Sequence, residues 1–223
     1  MPLSQDEIKI LDEAIKKYSF PCVCYDFTKD QPINFPNMRE VEEFIRKDLK
    51  SGDSFNIKNG LSNVLYWGFA QVGYRDKRVG IFRSQVTQDK LVKAVNLFEE
   101  IRGNALKEIL RIKLPQFSGM SFISKVRMFL DPTTYVILDK QILKMNKAPF
   151  ETLLKSIKFG DKETQIRISK DNTAVYQKWC DKCGYISDTI FNGIYRAVDI
   201  ERGFFTLIQN EKTRLAAEIL SKA

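Results

Sequence analysis

Two side chains stand out as able to do chemistry together: Lys125 and Asp139, in the stretch 114–142, LPQFSGMSFISKVRMFLDPTTYVILDKQI. A neutral lysine amine is a nucleophile toward a carbonyl-like or sugar carbon, and a carboxylate stabilises the positive charge that develops there. The chain has no histidine. That removes Ser-His-Asp and Cys-His triads, histidine-containing zinc sites and HExxH proteases. General acid and base work falls to Asp, Glu, Lys, Tyr or Cys.

The elements that position this pair follow from local pattern. Leu114-Pro115 and Gly119 frame a tight turn, after which Phe122, Val126, Phe129 and Leu130 repeat at helical spacing. The pattern predicts a helix over 120–131 with Lys125 at the edge of its apolar stripe, where an amine can extend into a partly dry cleft. Pro132, Thr133 and Thr134 stiffen the following loop. Asp139 then opens a further helix as its N-cap, with its carboxylate kept ionised by the helix dipole. A turn running into a helix N-terminus is a generic phosphate site. Gln116, Ser118, Gly119, Ser121, Ser124 and Arg127 are the candidate DNA contacts.

Charge is distributed to match. The formal net charge is +8. Residues 1–100 carry 15 basic and 15 acidic residues, residues 101–160 carry 11 and 4, and residues 161–223 carry 10 and 9. Almost the whole excess lies on the segment with the turn and the Lys/Asp pair, as a polyanion-binding surface requires.

Along the rest of the chain, Ser4 and Glu7 have capping-box spacing ahead of a helix over 5–17. Residues 20–36, with three prolines, read as a loop with a short extended piece. Pro36-Asn37 precedes a helix with Val41, Phe44, Ile45 and Leu49 on one face, ended by Ser51-Gly52. Residues 61–72 read as an apolar helix carrying Trp67 and Gln71 on one face, a candidate stack and hydrogen-bond partner for a flipped base. Residues 73–84 read as a basic loop, with Tyr74, Arg75, Lys77 and Arg78 near its start. Helices are expected over 87–100, 104–112, 139–146, 149–157, 172–185, 187–200 and 211–221, with a polar stretch at 158–171. VILD at 136–139 is the only clear strand-like run. Arg196, Asp199, Glu201 and Arg202 read as an ion-pair network at a helix end.

No apolar run approaches the roughly 20 residues a membrane span needs. The N-terminus lacks a basic region followed by an apolar block, so a cytoplasmic, nucleoid-associated location is expected. Cys22, Cys24, Cys180 and Cys183 have the wrong grouping for a four-thiolate metal site or an iron–sulfur cluster, and read as buried thiols.

Gly119, Phe122, Ser124-Lys125, Phe129, Pro132 and Ile137-Leu138-Asp139, with the later run Arg196–Phe205, resemble the helix-hairpin-helix DNA glycosylases. The segment is most similar to bacterial proteins with an 8-oxoguanine glycosylase-like fold. The resemblance covers roughly residues 60–208. It implies an all-α, two-lobed fold with little or no β, in which 1–60 supplies N-terminal helices and a Pro-rich loop, and 61–223 the core with its hairpin at 114–125. It also implies base-excision repair chemistry: a damaged purine such as 8-oxoguanine is flipped out of duplex DNA and excised. Lys125 would form a Schiff base, Asp139 would assist, and abasic-site lyase cleavage would follow with no metal or organic cofactor. A non-catalytic DNA-binding protein of a defence or regulatory system is the alternative. Two departures are clear: Gln116 stands where the family has glycine, and Lys125 lies ten residues after Pro115.

Overall fold

A computed structural model describes residues 2–159 and 165–223. Residues 160–164, inside the polar stretch expected at 158–171, lie outside the described residues. The structure is mostly helical, 62% helix against 5% strand, which places it in the all-α class. The chain divides into two compact units: Met1–Ser19 with Asp131–Ala223, and Phe20–Leu130.

The first unit joins the two chain ends. Ser4 and Glu7 form the expected capping box and start α1, Gln5–Lys16. At the other end lie α8 (Lys170–Ile190), α9 (Ala197–Gln209) and α10 (Thr213–Lys222). Helix α1 packs on α9, and the approach is close: a Cβ on Gly203 would fall 2.6 Å from Ile15 Cγ1 and 2.9 Å from Leu11 Cδ1. Lys222 donates to Glu7 Oε1 at 2.6 Å, tying α10 to α1.

Between them, the segment expected to be helical over 139–146 and 149–157 forms two 3₁₀ helices, Ile142–Lys147 and Leu153–Ser156. Asp139 explains the first. Its Oδ1 accepts from the backbone N–H groups of Gln141 (2.9 Å) and Ile142 (3.3 Å), a local turn that starts a tight helix rather than an α-helix. Pro149 stands just past its end. VILD is not a strand. Its carbonyls are taken by side chains of α8, with Tyr176 Oη donating to Val136 O and Trp179 Nε1 to Ile137 O, both at 3.0 Å. Helix α8 also runs on to Ile190, so the expected break near 186 falls instead at 191–196.

The second unit holds β1 (Val23–Asp26), β2 (Gln31–Asn34) and α2 (Met38–Leu49), α3 (Ser54–Gly68), α4 (Arg75–Gln85), α5 (Gln88–Glu100), α6 (Leu106–Arg111) and α7 (Met120–Leu130). The extended piece expected in 20–36 is an antiparallel hairpin pairing Val23 with Asn34. Its free edge is satisfied from α3: Asn63 Oδ1 accepts from Tyr25 N–H at 2.7 Å and Asn63 Nδ2 donates to Tyr25 O at 3.1 Å. Helix α3 is the centre of this unit and buries every residue from Asn59 to Trp67. It starts seven residues before the expected position, at the Asp53 N-cap, because its first turns bury polar groups that mask the apolar period.

Residues 75–85, expected as a loop, are helix α4. Only Val79 and Phe82 are buried there, so the segment has no apolar stripe to read. Tertiary contacts hold it: Arg83 Nη1 donates to Asn59 Oδ1 (3.0 Å) and Ser62 Oγ (3.1 Å) on α3.

Candidate active site and nucleic-acid interface

Helix α7 presents the candidate lysine. Ile123, Val126, Met128, Phe129 and Leu130 are buried along it, and Phe129 meets Trp67 edge-on at 5.1 Å. Lys125 is only 6% exposed. Its Nζ donates to Ser121 Oγ at 3.1 Å, one turn back on the same helix, and lies 5.2 Å from the centre of the Phe122 ring. The stem is packed as tightly as the head: a Cβ on Gly68 would sit 3.2 Å from Lys125 Cδ and 2.7 Å from Phe122 Cε1.

Asp139, half-buried, belongs to the other unit and caps the first 3₁₀ helix there. The unit boundary, between Leu130 and Asp131, thus falls between the two candidate catalytic residues.

The turn before α7 is built on Leu114 and Phe117, both buried, with Phe117 N–H donating to Leu114 O at 3.1 Å. Gln116 has φ +69°. A glycine adopts this left-handed conformation without penalty, whereas a side chain costs about 1 kcal/mol. Gln116 thus occupies a backbone position that favours glycine. The Gln116 side chain is used: its Oε1 accepts from Arg78 Nη1 at 2.9 Å. This bond joins α4 to the turn, so two basic segments far apart in sequence meet on one unit.

The other candidate contacts separate by depth. Ser118 is exposed and Ser121 half-buried, whereas Gly119, Ser124 and Arg127 are buried. Ser124 Oγ donates to Ser121 O within the helix, at 3.2 Å. Arg127 Nε donates to Gly103 O at 2.8 Å, fixing the loop before α6.

Trp67 and Gln71 do not share a helix face. Helix α3 ends at Gly68, which leaves Gln71 exposed in the turn beyond it. Trp67 is 2% exposed between Phe20 (4.8 Å) and Phe129, in the core. Its indole N–H has no hydrogen-bond partner among the described residues.

Sequence reasoning misses a set of cation–ring stacks around α4. Arg75 lies 3.8 Å over Tyr66, Arg83 4.1 Å over Phe27 and Arg78 5.4 Å over Tyr74, whose ring is half exposed. The sequence marks Tyr74, Arg75, Lys77 and Arg78 as a basic segment that either contacts DNA or is solvated, but the rings Tyr66 and Phe27 beneath Arg75 and Arg83 are not legible there.

Burial pushes the Cys24 and Cys183 thiols well above the usual thiol range, which leaves those two unreactive, whereas Cys22 is only half-buried. Among the described residues no group of three or more Cys, Asp or Glu is arranged to hold a metal ion. Among them, too, no helix is long and apolar enough to cross a membrane. The chain matches no family model, no curated protein and no solved structure.

Proposed function

We propose that the chain is a DNA-binding protein of the glycosylase type that excises a damaged purine through Lys125. The observation that carries this reading is the buried amine itself, 6% exposed on a helix that follows a left-handed turn, which is tied in turn to the basic helix α4. In the reaction, the Lys125 Nζ lone pair forms a bond to sugar C1′. The N-glycosidic bond breaks and its electron pair leaves with the base, which is protonated. Opening of the sugar ring gives an iminium between Lys125 and C1′, which water hydrolyses or a lyase step resolves. Asp139 is the carboxylate proposed to stabilise the cationic sugar, as the family resemblance implies. The exposed cations of α4 and the turn would contact the backbone phosphates.

Borohydride reduces the iminium to a stable amine, so the test is trapping. The chain is incubated with duplexes containing 8-oxoguanine or an abasic site, reduced, and run on a denaturing gel to reveal a covalent protein–DNA species. Wild type should give one, and Lys125→Gln should abolish it. No trapped species with either duplex rejects the chemistry. Salt-dependent duplex binding that survives in the absence of trapping identifies the alternative, a DNA-binding protein without catalysis.

A further inference from the structure

The first unit carries a cavity that no part of the Lys125 chemistry uses. It has a volume of about 360 Å³ and is lined by Lys144, Lys147, Ala148, Pro149, Thr213 and Arg214. Its cations come from two elements. Lys144 and Lys147 lie three residues apart on the 3₁₀ helix Ile142–Lys147, and in that geometry residues i and i+3 eclipse one another. They therefore share a face, opposite Ile142, Leu143 and Met145, which are buried. Arg214 comes from the first turn of α10.

Two features of this arrangement work against folding. The three side chains are exposed, and none of them is hydrogen-bonded or ion-paired to another described residue. Elsewhere in the same unit exposed lysines do find carboxylates, as Lys155 with Glu151 and Lys158 with Asp171. Moreover, Arg214 is a cation in the first turn of a helix, the end at which the dipole favours negative charge. Uncompensated positive charge gathered at a concavity is a local conflict that a bound anion resolves.

We propose that this cavity is a phosphate-binding site, in which Lys144, Lys147 and Arg214 neutralise a phosphoanion and the Thr213 hydroxyl donates to it. Ala148 and Pro149 give one apolar wall, against which the sugar attached to that phosphate can rest. The phosphate belongs either to a nucleic-acid backbone or to a free nucleotide-like anion. The site does not draw on Lys125 or Asp139.

The double variant Lys147→Gln/Arg214→Gln of the full chain tests it, beside a control that removes two exposed lysines elsewhere in the unit, Lys9→Gln/Lys178→Gln. A fluorescein-labelled duplex of about 20 base pairs is titrated between about 50 and 200 mM KCl, and inorganic pyrophosphate is titrated by calorimetry. If the phosphate is a backbone one, wild-type affinity falls about three- to four-fold further over that salt range than the variant's, as expected when one phosphate is no longer neutralised. The control then behaves as wild type. If the source is a free anion, pyrophosphate binds one to one and the double variant abolishes that binding. Equal effects of the variant and the control, or no effect in either titration, overturn the site. Should the double variant fail to fold, Lys144→Gln alone gives the same reading with a single cation removed. Trapping at Lys125 under saturating duplex is unchanged in these variants, which separates a failure here from a failure of the glycosylase reading.

Discussion

The two units treat positive charge differently. In the unit built from the chain ends, basic side chains pair with carboxylates across long stretches of sequence or inside a helix end. Lys222 reaches Glu7, and Arg196 and Arg202 both hold Asp199, at 2.8 and 3.3 Å, where the Asp199 side chain is only 13% exposed. In the central unit, ion pairs such as that of Lys93 with Asp89 are short-range and exposed. Several of its cations also rest on rings: Arg83 on Phe27, Lys125 beside Phe122, and Arg75 on Tyr66 while it pairs with Asp76 at 3.0 Å. A cation neutralised by a carboxylate is committed to the fold. A cation on a ring face keeps its charge, and keeps donors for a phosphate. The cavity of the first unit is an exception there, since Lys144, Lys147 and Arg214 meet no carboxylate among the described residues.

Removing the centre of the paired network gives the largest expected effect. Asp199→Ala deletes the capping-box acceptor of α9 and leaves two guanidinium groups without their carboxylate, one of them only 5% exposed. Breaking a buried pair from one side costs about 3 kcal/mol or more. Urea unfolding should show a drop of that size. A drop under about 1 kcal/mol would place Arg196 and Arg202 among the uncommitted cations and erase the contrast between the units.

The paired network is partly legible in the sequence, because Arg196, Asp199 and Arg202 sit at helical spacing and the chemistry is local. So are α1, with its Ser4–Glu7 box, α2 behind Asn37, and α7 with its apolar stripe. What cannot be read comes from partners distant in sequence. Asn63 completes a strand edge 38 residues away, and α4 is a helix held by Arg83 on α3 without an apolar face of its own. The segment 139–157 has helical composition, but the Asp139 side chain and Pro149 shorten it into 3₁₀ turns. At the candidate site, the residue types are legible and their depth is not. Ser124 and Arg127 look like surface donors on a basic helix, and are buried only because every face of α7 is covered beyond residue 122.

The ring-stacked amine can be tested through its packing. Gly68→Ala favours helix by propensity, yet its methyl group would meet Phe122 and the Lys125 stem at distances that force both to move. Phe122 is backed by Phe69 at 4.4 Å, so it has little room. The expected cost is about 1–3 kcal/mol in denaturant unfolding. Borohydride trapping should slow by more than the folded fraction explains. Lower stability with trapping unchanged would mean that the Lys125 position is not set by α3.

The units should also respond to acid with opposite sign. Burial, more than any other influence, raises Asp48 in the central unit to about 6. A carboxyl raised above its unfolded value stabilises the fold fully below about 4, and that contribution disappears as pH climbs through about 6. For Asp199, burial acts upward, but the Arg196 hydrogen bond and the two guanidinium charges outweigh it and hold the group below its ordinary value. Its contribution is present above the unfolded carboxylate range and disappears as pH falls below it. Asp48→Asn should therefore gain on the order of 1 kcal/mol over wild type at about pH 7, discounted for its partial exposure, and nothing at about pH 4. Equal gains at both values would assign the effect to packing rather than charge.

The smallest stability effect is expected at Arg78, and it separates the two kinds of cation most sharply. Arg78 is exposed, with its guanidinium 5.4 Å over Tyr74 and 2.9 Å from Gln116 Oε1. If it is held ready for a phosphate, Arg78→Gln changes unfolding free energy by less than about 0.5 kcal/mol. The salt dependence of duplex binding becomes shallower by about one phosphate. If Arg78 instead anchors the left-handed turn, the same substitution frees Gln116, destabilises the turn by about 1 kcal/mol and leaves the salt slope as it was. Gln116→Gly decides between these accounts. Glycine takes φ +69° without strain and cannot bond Arg78, so it should raise stability while the salt slope keeps its wild-type value. A shallower slope in Gln116→Gly would mean that the turn orients the arginine, and that the two basic segments act as one surface only while their hydrogen bond is intact.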